Sequence, residues 1–342
     1  MSPLSFALPL LSLCGILALV IVSTKGLRRM RYRRLGNSGL KVSAVSIGGW
    51  INFGEGKVAE DLARQVVEQA HEQGINFYDL ADIYGKGEAE KQMGAVLRQY
   101  PRHTLVISSK VFWPMSDDIN DRGLSRKHLL ESIDKTLDRL QTGYIDIYFC
   151  HRPDPDTPIR ETAQAMNTLI DAGKVHYWGT SEWEAWQIVE AYDVCERYGW
   201  HLPRVEQPHY SMLRREKVEG QILPATAPRG IGVVPFSPLA NGMLTGKYDN
   251  GIPEDSRFNR EGWLRDRFMT EENIQRVKNL IPLAEELSIT RGQLALAWLL
   301  RHASISSVIT GATKPEQVAE NVKAAEIDLS PDMLTRIEQA LK

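Results

Sequence analysis

FYDLADIYG, Phe77 to Gly85, reads as the end of a buried strand that delivers a carboxylate, Asp79, and then a phenol, Tyr84, into one polar pocket. Ile75, Phe77 and Tyr78 suit a strand, whereas Asp79 and Asp82 are poor choices for its interior unless something at its end needs charge. Taken alone, the stretch reads more readily as a strand followed by an ordinary Asp-rich turn, with Asp82 a turn residue. The decision rests on what the other strands end in.

Outward from this stretch, apolar β-type runs recur at Val45–Gly48, Asn76–Asp79, Leu105–Lys110, Ile145–His151, Val175–Gly179, Val205–Gln207, Gly232–Phe236 and Ser307–Gly311. Helical patterns separate them at Glu60–Gln73, Glu88–Gln99, Ser125–Leu140, Ile159–Ala172, Glu184–Tyr198, Glu216–Ala227, Thr270–Leu300 and Pro315–Ala325. Ahead of the alternation, two short runs flank Gly36-Asn37-Ser38-Gly39, a hairpin signal. Strictly alternating strands and helices imply a parallel sheet, and eight of each close into an α/β (β/α)8 TIM barrel. An open doubly wound sheet would carry GxGxxG after its first strand. The chain instead has GWINFGEGK at Gly49–Lys57, and Gly85-Lys86-Gly87-Glu88 also misses that spacing.

The chain has 342 residues, a net charge of −2 and 25% charged residues, so no basic excess points to nucleic acid. Cys14, Cys150 and Cys195 form neither a disulfide framework nor a zinc pair, which fits a reducing compartment. The N-terminus departs from this pattern. Pro3–Val22 contains no charged residue and is long enough to approach a bilayer span, and Lys25, Arg28, Arg29, Arg31, Arg33 and Arg34 follow it. One reading is membrane association through residues 3–22, with the positive-inside rule keeping a barrel of residues 30–342 in the cytoplasm and residues 1–29 as anchor and basic linker. The other is that translation starts at Met30. A cleaved signal peptide would have a basic leading region and a small-residue cleavage site, both missing here.

Barrel chemistry sits at the C-terminal ends of strands. There the second strand carries Asp79 with Tyr84 in its loop, the third Lys110 and the fourth His151. Each alone has a bland reading; four converging on one barrel mouth suit proton transfer. A tyrosine titrating near pH ~10 is a poor acid at neutrality, and a neighbouring ammonium lowers its pKa by favouring phenolate. Lys110 supplies that charge, Asp79 holds Lys110 protonated, and Tyr84 becomes a general acid with His151 orienting a carbonyl oxygen. No metal-ligand cluster and no nucleophile paired to a base are evident. Reduction of a small carbonyl substrate by an external hydride donor follows.

The set Asp79, Tyr84, Lys110 and His151 resembles the catalytic tetrad of the aldo-keto reductase superfamily, and the likeness runs from Tyr32 to the end. HRPDPDTP (His151–Pro158), HYWGTSEW (His176–Trp183), SPLANGMLTGKYDNGIPEDSR (Ser237–Arg257) and GATKPEQVAEN (Gly311–Asn321) resemble the subgroup related to voltage-gated potassium channel β subunits. The resemblance implies NADPH extended across the barrel mouth without a Rossmann fold. Its ligands would be Trp50, Asp79, Ser181, Gln207, Ser237, Pro238, Leu239, Lys247, Arg257, Gly311, Thr313, Gln317, Glu320 and Asn321. Thr313-Lys314-Pro315 independently reads as a helix start that offers backbone N–H groups to an anion. Lys247, Arg257 and Lys314 are the cations for a 2′-phosphate, which favours NADPH over NADH. The connection Ser237–Glu272 resembles a loop that folds over bound cofactor. Trp113, with Tyr84 and His151, would shape the substrate pocket, and Tyr78, Trp183 and Tyr210 are further aromatic candidates.

Two functions are implied: an NADPH-dependent aldehyde or ketone reductase of the alcohol dehydrogenase or carbonyl reductase type, or a regulatory β-subunit-like protein that binds NADPH and modulates a membrane partner. Channel-associated relatives have asparagine in place of the tetrad histidine, so His151 favours catalysis. A homotetramer or a channel partner is implied by analogy only. Leu80 departs from the pattern, standing where the superfamily often has Thr or Ser.

Overall fold

The computed structural model describes residues 30–50 and 60–342, so the N-terminal segment and the membrane reading attached to it lie outside the described residues. Strands β1 (Tyr32–Arg34) and β2 (Lys41–Ser43) form the antiparallel hairpin. Eight parallel strands follow: β3 (Val45–Gly48), β4 (Phe77–Asp79), β5 (Val106–Val111), β6 (Ile145–Cys150), β7 (Val175–Ser181), β8 (Val205–Gln207), β9 (Gly232–Val233) and β10 (Val308–Thr310). Their order is β10-β3-β4-β5-β6-β7-β8-β9. Bridges from Val233 to Ile305 and from Phe236 to Ile309 join the two ends, so the sheet curls into the expected (β/α)8 barrel. Strand β9 is shorter than its apolar run because Pro235 has no N–H to give to the ladder.

Helices Glu60–Glu72, Glu88–Leu97, Arg126–Leu140, Ile159–Asp171 and Ala185–Tyr198 pack outside the strands they follow. The helix expected over Glu216–Ala227 is instead a π turn (Val218–Ile222), a short helix (Leu223–Thr226) and a 3-10 turn (Ala227–Arg229), because Pro224 and Pro228 cannot donate. Thr270–Leu300 divides into Glu271–Asn279, Ile281–Glu286 and Arg291–Leu300, with Thr290 capping the last. A final helix, Pro331–Ala340, was not anticipated; Ser330 Oγ accepts the Met333 N–H at its start. Among the described residues no helix is long and apolar enough to cross a membrane.

Alternation along each strand divides the side chains into two sets. Phe77, Val106, Ile147, Phe149, Val205, Val234 and Ile309 share the barrel interior, while Tyr78, Ile107, Tyr148 and Cys150 belong to the layer under the helices. Leu35 and Val42 of the hairpin join the interior cluster, so β1 and β2 cork one end of the barrel. Backbone contacts fix the cork: Asn37 N–H donates to Gly230 O at 2.8 Å, and Arg33 donates to the carbonyls of Leu300, Ile305 and His302 at 2.6, 2.8 and 3.1 Å. Gly36 sits at φ +56, and a Cβ there would meet Gly230 O at 2.2 Å. Gly230 precedes β9, so the cork lies at the N-terminal end of the strands and the opposite mouth stays open. Leu35→Ala is expected to cost about 2–5 kcal/mol, read as a lower urea midpoint at unchanged m-value; a loss under about 1 kcal/mol would show that the hairpin does not close the core.

Candidate active site

At the open mouth the inward parity of β4, β5 and β6 brings Asp79, Lys110 and His151 to one level, and the turn after β4 returns Tyr84 above them. Lys110 is fully buried and donates to Asp79 Oδ2 at 2.6 Å, to Leu80 O at 2.6 Å and to Tyr84 Oη at 3.3 Å. Asp79 Oδ1 accepts from Ser108 Oγ at 2.7 Å and from Gln207 Nε2 at 3.0 Å. The Tyr84 and His151 rings meet edge to face, 5.9 Å between centroids, and Trp113 stands 6.2 Å beyond His151. All four expected tetrad residues therefore converge.

Their protonation follows from burial and charge. Burial pushes the Tyr84 phenol above its usual value; Lys110 pulls it back, but Asp79 opposes that pull and the net direction stays upward. The expected lowering by Lys110 is thus present but outweighed. For Lys110, burial alone would lower the ammonium, and Asp79 and Tyr84 together raise it. Burial, with Lys110 and Arg152 nearby, holds His151 well below the usual imidazole range, so the ring is neutral at pH 7. Its Nδ1 is buried without a hydrogen-bond partner, which leaves Nε2 to face the cavity.

Asp82 is no surface turn residue. It is buried, its Oδ1 accepts the Ile83 N–H at 2.6 Å, and its Oδ2 has no partner. Burial and then Glu90 push its carboxyl well above the usual range. Glu90, also buried, accepts from Ser109 Oγ and Arg139 Nε, each at 2.5 Å, behind the strand that carries Lys110. Leu80 is buried too, and the site uses its carbonyl, which accepts from Lys110. A hydroxyl at position 80 is not needed for that contact.

Two cavities meet over the tetrad, and both are lined by Trp50, Tyr84, Phe236, Ser237 and Asn241. The first, about 570 Å³, contains Trp113, His151, Ser181 and Gln207. The second, about 580 Å³, is a groove reached by Asp79, Pro238, Leu239, Lys247 and Arg257 on one side. Gly311, Thr313, Gln317, Glu320 and Asn321 line its other side. All the residues expected at the cofactor thus border one or other cavity. The groove also holds Arg260 and Lys314. Desolvation, with Arg257 and Arg260 beside it, pulls the Lys247 ammonium below its usual value, and burial does the same to Arg257. Arg257 lies over the Trp50 ring at 5.7 Å and donates to Asn241 Oδ1 at 3.4 Å. Neither Lys247 nor Arg257 has an ion pair among the described residues. Gly242, at φ +96, leaves room for the Lys247 chain, which a Cβ would meet at 2.6 Å. The Thr313 N–H, expected to face an anion, donates to Gln317 Oε1 at 2.8 Å instead.

A family model described as the Aldo/keto reductase family matches residues 44–342. The chain belongs to the aldo/keto reductase family. It is similar to a protein named "Probable voltage-gated potassium channel subunit beta" from Arabidopsis thaliana, with 45% identity over 320 residues covering 92% of this chain and 97% of the relative. A protein of the same name from Oryza sativa subsp. japonica is 43% identical over 320 residues, with the same coverage. The resemblance drawn from the tetrad and the longer strings is borne out for both family and subgroup.

In this aldo/keto reductase an Asp79 partner and several cavity residues escaped the sequence reading. Ser108 shares the inward face of β5 with Lys110, and that i, i+2 spacing could have revealed it. Arg152 adjoins His151, whereas nothing separated Arg214, which lines the first cavity, from Arg215, which does not. Tyr78, Trp183 and Tyr210 do not line the cavity: the Tyr78 hydroxyl donates to Ile75 O, the Tyr210 hydroxyl donates to Glu219, and Trp183 is buried in the outer layer. Among the described residues no group of side chains forms a metal site. The balance at Tyr84 is open to direct measurement. The alkaline absorbance titration of wild type minus Tyr84→Phe should have its midpoint above the ordinary 10.0, and Lys110→Met should move it higher still; a midpoint at or below 10.0 would refute the dominance of burial.

Proposed function

We propose that the protein is an NADPH-dependent reductase of aldehydes or ketones, in which Asp79, Tyr84, Lys110 and His151 carry the proton chemistry. The observation that carries this reading is the buried Asp79–Lys110 pair with its third donor on Tyr84 Oη, at the wall of a cavity that continues into a cationic groove. The groove fits NADPH by its donor set, since Lys247, Arg257 and Arg260 crowd one another without carboxylate partners among the described residues. They would take its phosphates, including the 2′-phosphate that NADH lacks, and NADPH bound there supplies the hydride.

The other steps belong to the chain. His151, neutral, presents Nε2–H to the carbonyl oxygen and keeps an acceptor at the unpartnered Nδ1, the cheaper of the two groups to leave unpaired. Tyr84 gives the Oη proton to that same oxygen as it gains charge. Because burial keeps the phenol protonated well into the alkaline range, the acid form is always present at neutrality, and the pull on the proton comes from the developing alkoxide. Lys110 stabilises the phenolate left behind, and Asp79, held by Ser108 and Gln207, keeps Lys110 aimed and charged. Trp113 walls the substrate side.

A second reading rests on the names of the relatives: a regulatory β-subunit-like protein that binds NADPH and modulates a channel, as a tetramer or with a membrane partner. NADPH oxidation over a panel of aromatic and aliphatic aldehydes separates the two. Turnover is expected, and Tyr84→Phe should lower kcat by about 10²–10⁴-fold with NADPH still bound. An equally active Tyr84→Phe would remove Tyr84 as the acid, and no turnover on any aldehyde by a protein that binds NADPH would favour the regulatory reading. Cofactor choice is a separate measurement: Lys247→Met and Arg257→Met should each weaken NADPH while sparing NADH, and equal wild-type affinity for the two would contradict the assigned cations.

A further inference from the structure

We infer that the carbonyl compound reduced here is an acid: an apolar aldehyde or ketone that also carries a carboxylate or phosphate, held by Arg152, Arg214 and Arg267. This deepens the reductase reading and rests on it. Among the described residues, the cavity beside Tyr84 is lined by these three guanidiniums and by one carboxylate, Glu182. Glu182 is partly engaged, because its Oε1 accepts the His209 N–H at 2.6 Å. The histidines do not offset the imbalance; burial, with Arg214, Arg267 and Arg152 around it, brings His209 down to about 3, and its Nε2 is buried without a partner.

None of the three arginines has an ion pair among the described residues. Arg152 donates to the adjacent His151 carbonyl at 2.5 Å and lies 5.7 Å from the Trp113 ring centre. Arg214 is held by its backbone, since Ser211 and Arg214 exchange N–H to carbonyl bonds of 3.1 Å in both directions. Arg267 projects from the short helix Gly262–Phe268. Several half-buried arginines elsewhere in the described chain pair with carboxylates. Arg215, the next residue, pairs with Glu219 and Glu338 at 2.7 and 2.6 Å. Arg102 pairs with Asp146 and Arg291 with Asp249, each at 2.6 Å. Arg152 and Arg214 are partly buried without an ion pair, Glu182 and Glu216 acting on Arg214 only from beyond contact, and Arg267 stands exposed beside them. Such uncompensated guanidiniums are costly, and the three together are complementary to an oxyanion that enters with the substrate.

The phosphates of the cofactor do not account for them, because the groove on the other side of Tyr84 has its own cations, Lys247, Arg257, Arg260 and Lys314. Trp50, Trp113, Phe236 and Phe268 give the cavity an apolar wall, beside the polar side chains of Ser181, Gln207, Ser237 and Asn241. At about 570 Å³ it lies within the usual small-molecule range of about 300–1,000 Å³. An aromatic or aliphatic body with an acidic tail matches both halves of that lining.

The test compares 4-carboxybenzaldehyde with its uncharged methyl ester, and glyceraldehyde 3-phosphate with glyceraldehyde, in NADPH oxidation by wild type, Arg214→Gln, Arg267→Gln and Arg214→Lys. Benzoate and benzamide binding to the NADP+ complex is measured in parallel by calorimetry. The ester is the more electrophilic aldehyde, so a preference for the acid cannot come from intrinsic reactivity. In wild type the acid should exceed the ester in kcat/KM by about tenfold or more, the size of one charge-assisted contact. That ratio should fall about tenfold in each Gln variant, mainly through KM, and recover in part in Arg214→Lys. The glyceraldehyde pair shows whether phosphate serves as well as carboxylate. Turnover with no preference for either anionic substrate would overturn the inference alone. A ratio unmoved by both Gln variants, or variants that weaken NADPH in place of the acid, would overturn it equally. Absence of turnover with benzoate still bound at least tenfold tighter than benzamide would remove the reductase reading and uphold the anion site.

Discussion

The ion pair between Asp79 and Lys110 is the constraint on which the rest of this molecule depends. Removing two charges from water costs several kcal/mol each unless every donor and acceptor is met. Here Lys110 spends its three protons on Asp79, Leu80 O and Tyr84, while Asp79 also takes Ser108 and Gln207. Those partners come from β4, its following turn, β5 and β8, so the pair survives only if the strands of the barrel hold their relative registers. A slip of one residue in β5 would turn Lys110 outward to where Ser109 meets Glu90, and would bring Ser109 into the mouth. The pair therefore specifies the alignment of the barrel as much as it serves the chemistry beside it.

That logic explains what could be read in advance. Strand ends carrying Asp79, Lys110 and His151 were visible because charge at the close of an apolar run is anomalous, and parity then puts them in one place. Groove residues such as Lys247 and Asn321, expected at the cofactor, followed from long strings, not from any spacing rule. Asp82 was misread because local sequence cannot show that a helix bearing Glu90 and a strand bearing Tyr148 will cover it. Breaks in the outer helices at Pro224, Pro228 and Pro282 were legible in principle, yet a periodic apolar pattern concealed them. The arginines of the first cavity were invisible because the difference between Arg214 and its paired neighbour Arg215 exists only after folding.

Both cavities are shaped by loops that hold ordinary residues in a conformation usually left to glycine. Glu182 after β7 and Ser237, Ala240 and Asn241 after β9 adopt φ of +59, +51, +47 and +57. Such residues cost of order 1–3 kcal/mol each and persist where surrounding contacts over-determine them. Their grouping around the mouth, with Ser237 and Asn241 common to both cavities, places the least relaxed backbone where substrate and cofactor would be gripped. The corked end, by contrast, is held by ordinary packing and carbonyl contacts.

The junction of β9 and β10 is the thinnest join in the barrel. Pro235 removes one donor, and the join relies on Val233 bonding to Ser304 and Ser306 at 2.8 Å each, and on Ile309 bonding to Pro235 O at 3.0 Å. The groove lies directly above this join, with Ser237, Pro238 and Leu239 continuing from one edge and Gly311 and Thr313 from the other. A dinucleotide stretched between those edges would act as a suture across a split stave. Breathing of the cylinder and occupancy of the groove would then be one equilibrium, a ligand across the seam favouring its closed form.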